Sequence, residues 1–154
     1  GFVHALMCDL RFAAAGAKFT TAFVRRGLIA EHGSSWLLPR MVGRQRAAEL
    51  LLSGRAIDAN EAERIGLVQG VREDVVAAAM EWATDVARHC SPASLSTMKR
   101  QLADSDRGDL RTSLAESLRL MRESFRGPDL AEALLAKAAG RAPDFAPAPP
   151  AQSS

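Results

Sequence analysis

Apolar positions along this chain change their rhythm near residue 72, and the two rhythms predict different architectures. Before that point short patterns alternate. Phe2 to Met7 reads as a short helix, and Leu10 to Ala13 and Ala17 to Thr20 read as strands flanking the small-residue turn Ala14-Ala15-Gly16. Ser34 is placed to cap a helix that Pro39 interrupts, and Gly43 opens another helix through Leu52 that Gly54 ends. Asp58-Ala59-Asn60-Glu61 is a capping-box pattern for a helix to Ile65, stopped by Gly66, with Leu67-Val68 as a strand stub. From 72 to 140 helical spacing takes over. Val75, Ala79, Trp82 and Val86 form one stripe, and Leu95, Met98 and Leu102 form a second after the start signal Ser91-Pro92. Leu110, Leu114, Met121 and Phe125 line a third helix, and Gly127-Pro128 opens a fourth with Leu130, Leu134 and Ala138. Most of these stripes read as core packing. Residues 141–154 hold four of the seven prolines among alanine and serine, and read as a flexible tail.

Composition narrows the classes. At 154 residues, 47% of them hydrophobic, the chain is long enough to bury a core. Its net charge is only +2, and its basic residues alternate with acids along the predicted helices. With 5% aromatics and no tyrosine it lacks the clustered cations and stacking rings of a nucleic-acid groove. Cys8 and Cys90 sit singly in apolar helical patterns, and read as buried reduced thiols rather than as a disulfide. His4, His32 and His89 are not at ligand spacings, so no metal is expected. No signal peptide or membrane-spanning run is seen, which suits a cytoplasmic protein with no membrane partner.

The chemistry concentrates between Gly27 and Val68. Glu31 lies among Leu28, Ile29 and Ala30 on one side and Trp36, Leu37 and Leu38 on the other, just ahead of Gly33-Ser34-Ser35. A carboxylate in such surroundings loses hydration, which favours its neutral form and suits it to proton transfer. The ordinary reading of an acid ahead of a helix start is a dipole partner or cap. His32 beside it offers a second proton carrier, although an exposed or capping histidine is the more usual role.

The segment GFVHALMCDLRFAAAGAKF at the start, and Ala30-Glu31-His32-Gly33-Ser34-Ser35-Trp36 after it, resemble the crotonase (enoyl-CoA hydratase/isomerase) superfamily over about residues 1–145, closest to its enoyl-CoA isomerase branch. The resemblance implies the C-terminal half of such a protein. Residues 1–71 would be the back part of an α/β crotonase-like ββα spiral, and 72–140 a helical oligomerisation region that packs on neighbours in a trimer or dimer of trimers. The fragment as a whole would be mostly helical, ending in the tail 141–154. The resemblance also implies an acyl-CoA thioester as substrate, coenzyme A being part of that substrate and no further cofactor needed. Two backbone N–H groups would stabilise an enolate-like oxygen.

Gly1 resembles the last glycine of the triplet that supplies one of those donors. The two glutamates of typical hydratases fall on Val3 and Phe23, neither of which transfers protons. The isomerase-type motif keeps the acid, Glu31, both serines and the aromatic. Alanine replaces its usual proline, and glycine stands at the second position after the acid. On this reading Glu31 is catalytic, and Phe23, Leu28 and Trp36 exclude water around the acyl chain. Lys137 and Phe145 lie where family members carry a lysine and an aromatic near the adenosine-phosphate end of coenzyme A. The implied reaction shifts the double bond of a 3-enoyl-CoA to the 2-position, in the setting of fatty acid metabolism. The alternatives are a hydratase (a lyase) or other crotonase-type acyl-CoA enzyme, and a non-catalytic fragment competent only for helix-mediated association. The isolated chain is expected to be inactive.

Overall fold

The computed structural model describes residues 1–105 and 108–147. They fall into two compact units, Gly1–Met80 and the part from Glu81 onward.

In the first unit, α1 (Phe2–Leu6) leads to β1 (Phe12–Ala14) and β2 (Lys18–Thr20). The two strands flank the expected turn but do not pair with each other. β1 runs parallel to β4 (Gly70–Arg72), with Phe12 opposite Gly70, whereas β2 runs antiparallel to β3 (Ala56–Asp58), with Phe19 opposite Ile57. Leu67-Val68 is therefore not the strand: both side chains are buried in the core, and the strand begins two residues later. Between the pairs lie α2 (Ser34–Val42), α3 (Arg44–Ser53) and α4 (Ala59–Arg64). Leu6, Leu38, Val42, Leu50, Ile57 and Leu67 form the centre of the core, and Phe2 and Phe19 meet edge-to-face against it.

Local signals act as read at α4, where the Asp58 carboxylate accepts the Glu61 N–H at 2.8 Å. The Glu61 side chain does not complete the box. It joins Arg55 at 2.6 and 2.8 Å, and Arg55 also reaches Glu49 on α3 at 2.6 and 3.0 Å. One guanidinium thus ties α3 to α4 across β3, and it holds both carboxyls below the usual glutamate range. Pro39 does not interrupt its helix. The ring removes one donor, yet α2 continues to Val42 and the Gly43 N–H closes on the Pro39 carbonyl at 3.0 Å.

The rest of the described chain is helical, with the first helix beginning in the first unit and ending in the second. α5 (Val75–His89) starts on the Asp74 carboxylate, which accepts from the Val76 and Ala77 N–H groups. α6 (Pro92–Ser105) starts on Ser91, whose hydroxyl accepts the Ser94 N–H and donates to Asp129 at the start of α8 (Pro128–Ala138). α7 (Leu110–Arg126) is capped by Asp109, which accepts the Thr112 N–H at 3.0 Å. The stripes expected to be core are largely open in this chain. No residue of α5, α6 or α7 is buried, and Ala136 alone is buried in α8. The tail is not free at its start. Arg141 pairs with Glu132 at 2.6 Å, the Asp144 N–H donates to the same carboxylate at 2.7 Å, and Phe145 is half-buried. The rest of the expected tail, 148–154, lies outside the described residues. Cys8 is exposed rather than buried, Cys90 is partly buried, and both are free thiols.

Candidate functional site

The stretch 20–43 is held in place from α3. The Thr21 hydroxyl, itself buried, donates to the Leu50 carbonyl at 2.7 Å, and the Thr20 hydroxyl donates to the Gly54 carbonyl at 3.3 Å. Arg25, in a 3₁₀ turn at Val24–Arg26, donates from Nε to the Ser53 carbonyl at 2.8 Å. Gly54 permits this approach. Its φ is +57°, and a Cβ there would stand 3.1 Å from both Val24 and Arg25 side chains. The chain then returns on itself, with the Leu28 N–H donating to the Phe23 carbonyl at 2.9 Å, so these two residues share one turn.

Glu31 begins a second turn. The Ser34 N–H donates to the Glu31 carbonyl at 3.0 Å, and both central residues have positive φ, His32 at 52° and Gly33 at 76°. Positive φ at both centres is the signature of a type I′ turn. Among the described residues His32 is the one non-glycine with positive φ, a conformation that costs an L-residue on the order of 1–2 kcal/mol. Gly33 then serves as N-cap of α2 without a side-chain bond, so Ser34 is the first helical residue and not the cap. Its hydroxyl turns inward: Ser34 is 0% exposed and its Oγ has no hydrogen-bond partner. Leaving a buried hydroxyl unpaired costs roughly 1–3 kcal/mol. This orphan was invisible in the sequence, because it follows from the Glu31–Ser34 turn making Gly33 the cap.

The expected dehydration of Glu31 is not found in this chain. Its side chain is 39% exposed and its Oε2 lies 3.9 Å from Nε2 of His32, which is 70% exposed. The apolar neighbours are open as well, since Leu28 and Trp36 are exposed and Phe23 is half-buried. Sequence proximity to apolar residues did not translate into enclosure by them. The Trp36 indole carries the Arg40 guanidinium 3.2 Å from its ring centroid, a stack one helical turn long on α2.

The remaining expected site residues have these places. Gly1 is the exposed N-cap of α1, and Val3 is buried on that helix. Lys137 and Phe145 belong to the second unit, Lys137 exposed in the last turn of α8 and Phe145 just beyond it. Two shallow surface depressions of the first unit are lined elsewhere, one by Phe2, Phe19, Thr21, Leu50, Arg55 and Ile57, the other by Val42 to Arg46. Among the described residues no group of three or more His, Cys, Asp or Glu is placed to hold a metal, and no helix is long and apolar enough to cross a membrane.

Comparison with known proteins gives this geometry its setting. The family model for enoyl-CoA hydratase/isomerase matches residues 1–147. A probable enoyl-CoA hydratase, echA8, of Mycobacterium leprae is 36% identical over 143 residues, which are 92% of this chain and 55% of that protein. A 1,2-epoxyphenylacetyl-CoA isomerase of Escherichia coli is 34% identical over 148 residues, 94% of this chain and 56% of that one. Among solved structures, a probable enoyl-CoA hydratase/isomerase from Mycobacterium abscessus superposes with a TM-score of 0.91 at 31% identity, covering 94% of this chain and 57% of that chain. The chain thus spans about half the length of the relatives it matches. By the family match over residues 1–147 and the likeness at 31% identity, the chain belongs to the crotonase superfamily of enoyl-CoA hydratases/isomerases.

Proposed function

We propose that this chain carries the proton-transfer carboxylate of an enzyme that isomerises enoyl-CoA thioesters. The observation that carries this reading is the isolation of Glu31: it is the sole carboxylate between Thr21 and Val42, fixed by a turn ahead of α2. Addition of water in the usual hydratase manner needs two carboxylates. The matching positions hold the apolar side chains of Val3 and Phe23.

In the proposed reaction Glu31 takes a proton from C2 of a 3-enoyl-CoA. The C–H electron pair moves into the thioester as a dienolate, and the carboxylic acid then returns the proton at C4, leaving the double bond between C2 and C3. Backbone N–H groups stabilise the enolate oxygen. Gly1 stands at the edge of that donor segment, and the remaining donors belong to the half of the family fold that this chain does not span. Phe23, Leu28 and Trp36 form walls of the acyl site once that half covers them. Lys137 and Phe145 serve the phosphate end of coenzyme A, and the helical unit associates with like units. The E. coli relative, named as a 1,2-epoxyphenylacetyl-CoA isomerase, supports isomerase chemistry on a coenzyme A thioester, and the mycobacterial relatives named as probable enoyl-CoA hydratases keep hydration as the second reading.

The test is Glu31→Gln in the complete polypeptide, assayed on 3-enoyl-CoA and 2-enoyl-CoA. The amide keeps shape but accepts no proton, so isomerisation falls about 10²–10⁴-fold while acyl-CoA affinity changes little. An active Glu31→Gln variant rejects the reading. A wild-type protein that forms only the 3-hydroxyacyl product establishes the hydratase instead.

A further inference from the structure

The Ser34 hydroxyl has no use in the structure as it stands. It is fully buried, accepts from no N–H and donates to no carbonyl, although it opens a nine-residue helix directly after the Glu31 turn. Glu31, for its part, lies half outward beside His32, at a 3.9 Å separation that is no hydrogen bond. The two residues are the first and fourth of one closed turn, which holds their Cα atoms within about 7 Å. A glutamate side chain is long enough to cover a separation of that size. The unpartnered buried hydroxyl and the carboxylate thus belong to the two ends of one closed turn.

We infer that Ser34 is a positioning residue: its hydroxyl donates to the Glu31 carboxylate when that carboxylate turns inward onto the acyl-CoA, and fixes which oxygen faces the C2 proton. The hydrogen bond forms in the complex and aims the base, and the serine proton is not transferred. This inference rests on the proposed role of Glu31. It also accounts for the orphan: a hydroxyl satisfied in the ligand-free state would compete for the carboxylate's position, whereas an unpaired one is free to receive it.

Ser34→Ala, Ser34→Thr and Glu31→Gln are compared in the complete polypeptide on a medium-chain 3-enoyl-CoA. Because the hydroxyl has no partner in this chain, Ser34→Ala is expected to leave the ligand-free melting temperature unchanged or to raise it. It lowers kcat about 10–100-fold, the weight of a hydrogen bond to a charged group, with KM within about twofold. Ser34→Thr, which keeps the hydroxyl, restores kcat. A Ser34→Ala variant with wild-type kcat overturns the inference, and so does one that melts early, since the hydroxyl would then be structural. A Ser34→Thr variant that folds normally without recovering kcat overturns it too. If Glu31→Gln is inactive while Ser34→Ala is fully active, this inference alone fails; if Glu31→Gln is active, the Glu31 reading fails with it.

Discussion

His32 shows how a single dihedral angle sets the geometry around Glu31. Its φ of 52° is needed to close the Glu31–Ser34 turn, yet an imidazole gains nothing there from packing, being 70% exposed. Glycine adopts that φ without steric cost and gives back part of the gain as unfolded-state entropy. His32→Gly is therefore expected to be about 1 kcal/mol more stable than His32→Ala, read as a shift of urea midpoint between two variants that both lack the imidazole. Histidine's role as a proton carrier is better tested with the glycine variant, since alanine inherits the strain. At this scale the sequence was informative about identity and poor about environment. Glu31 stood out for its apolar flanks and its place in the family motif, and its neighbours Leu28 and Trp36 were correctly seen as apolar. Whether those neighbours enclose it depends on packing that residue spacing does not encode. The orphan hydroxyl of Ser34 is a further step removed, because it follows from Gly33 taking the cap.

Elements whose causes lie within four residues were the most legible. Asp58 caps α4, Pro128 opens α8 and Gly54 ends α3, each as its side chain or backbone freedom dictates. The caps Asp74 and Asp109 carry the same signal and could have been found by it. Strand pairing was not legible, since β1 finds β4 and β2 finds β3 through contacts far apart in sequence. The end of α8 is likewise non-local. Arg141 and the Asp144 N–H converge on Glu132, and these hydrogen bonds, the guanidinium's first, pull its carboxyl from the ordinary 4.5 down to about 2. A carboxyl that binds its proton less readily when folded contributes stability fully above its unfolded value. That contribution is lost as pH falls from about 5 towards 2. A carboxyl-carbon titration should give Glu132 a midpoint far below those of the exposed glutamates, with the Arg141 and Asp144 signals shifting together with it. A midpoint near 4.5 would mean that the tether does not form.

Across the whole molecule the open helical faces matter most. Leu110, Leu114, Leu118, Met121 and Phe125 recur at helical spacing on α7, Phe125 with 63% of its surface open, and none of them is buried. Contiguous apolar surface of this kind mediates association or binds hydrophobic probes. The 154-residue chain expressed alone is expected to self-associate or to enhance the fluorescence of a hydrophobic dye, and to show no turnover of enoyl-CoA. A dye-silent monomer in sedimentation, or turnover that survives repurification, contradicts that expectation. The amphipathic pattern had made α7 legible as a helix; reading its stripe as core went wrong because periodicity reports which face is apolar, not what covers it. The parallel ladder of β1 with β4 has a consequence of a different kind. Its partners sit on either side of everything from β2 to α4, and each doubling of such a loop adds only about 0.6 kcal/mol of closure entropy. The long separation therefore weighs lightly on equilibrium and heavily on speed: the contact of α2 with α3 is rewarded by near neighbours at once, whereas Phe12 and Gly70 must first be brought within reach by the collapse of the elements between them.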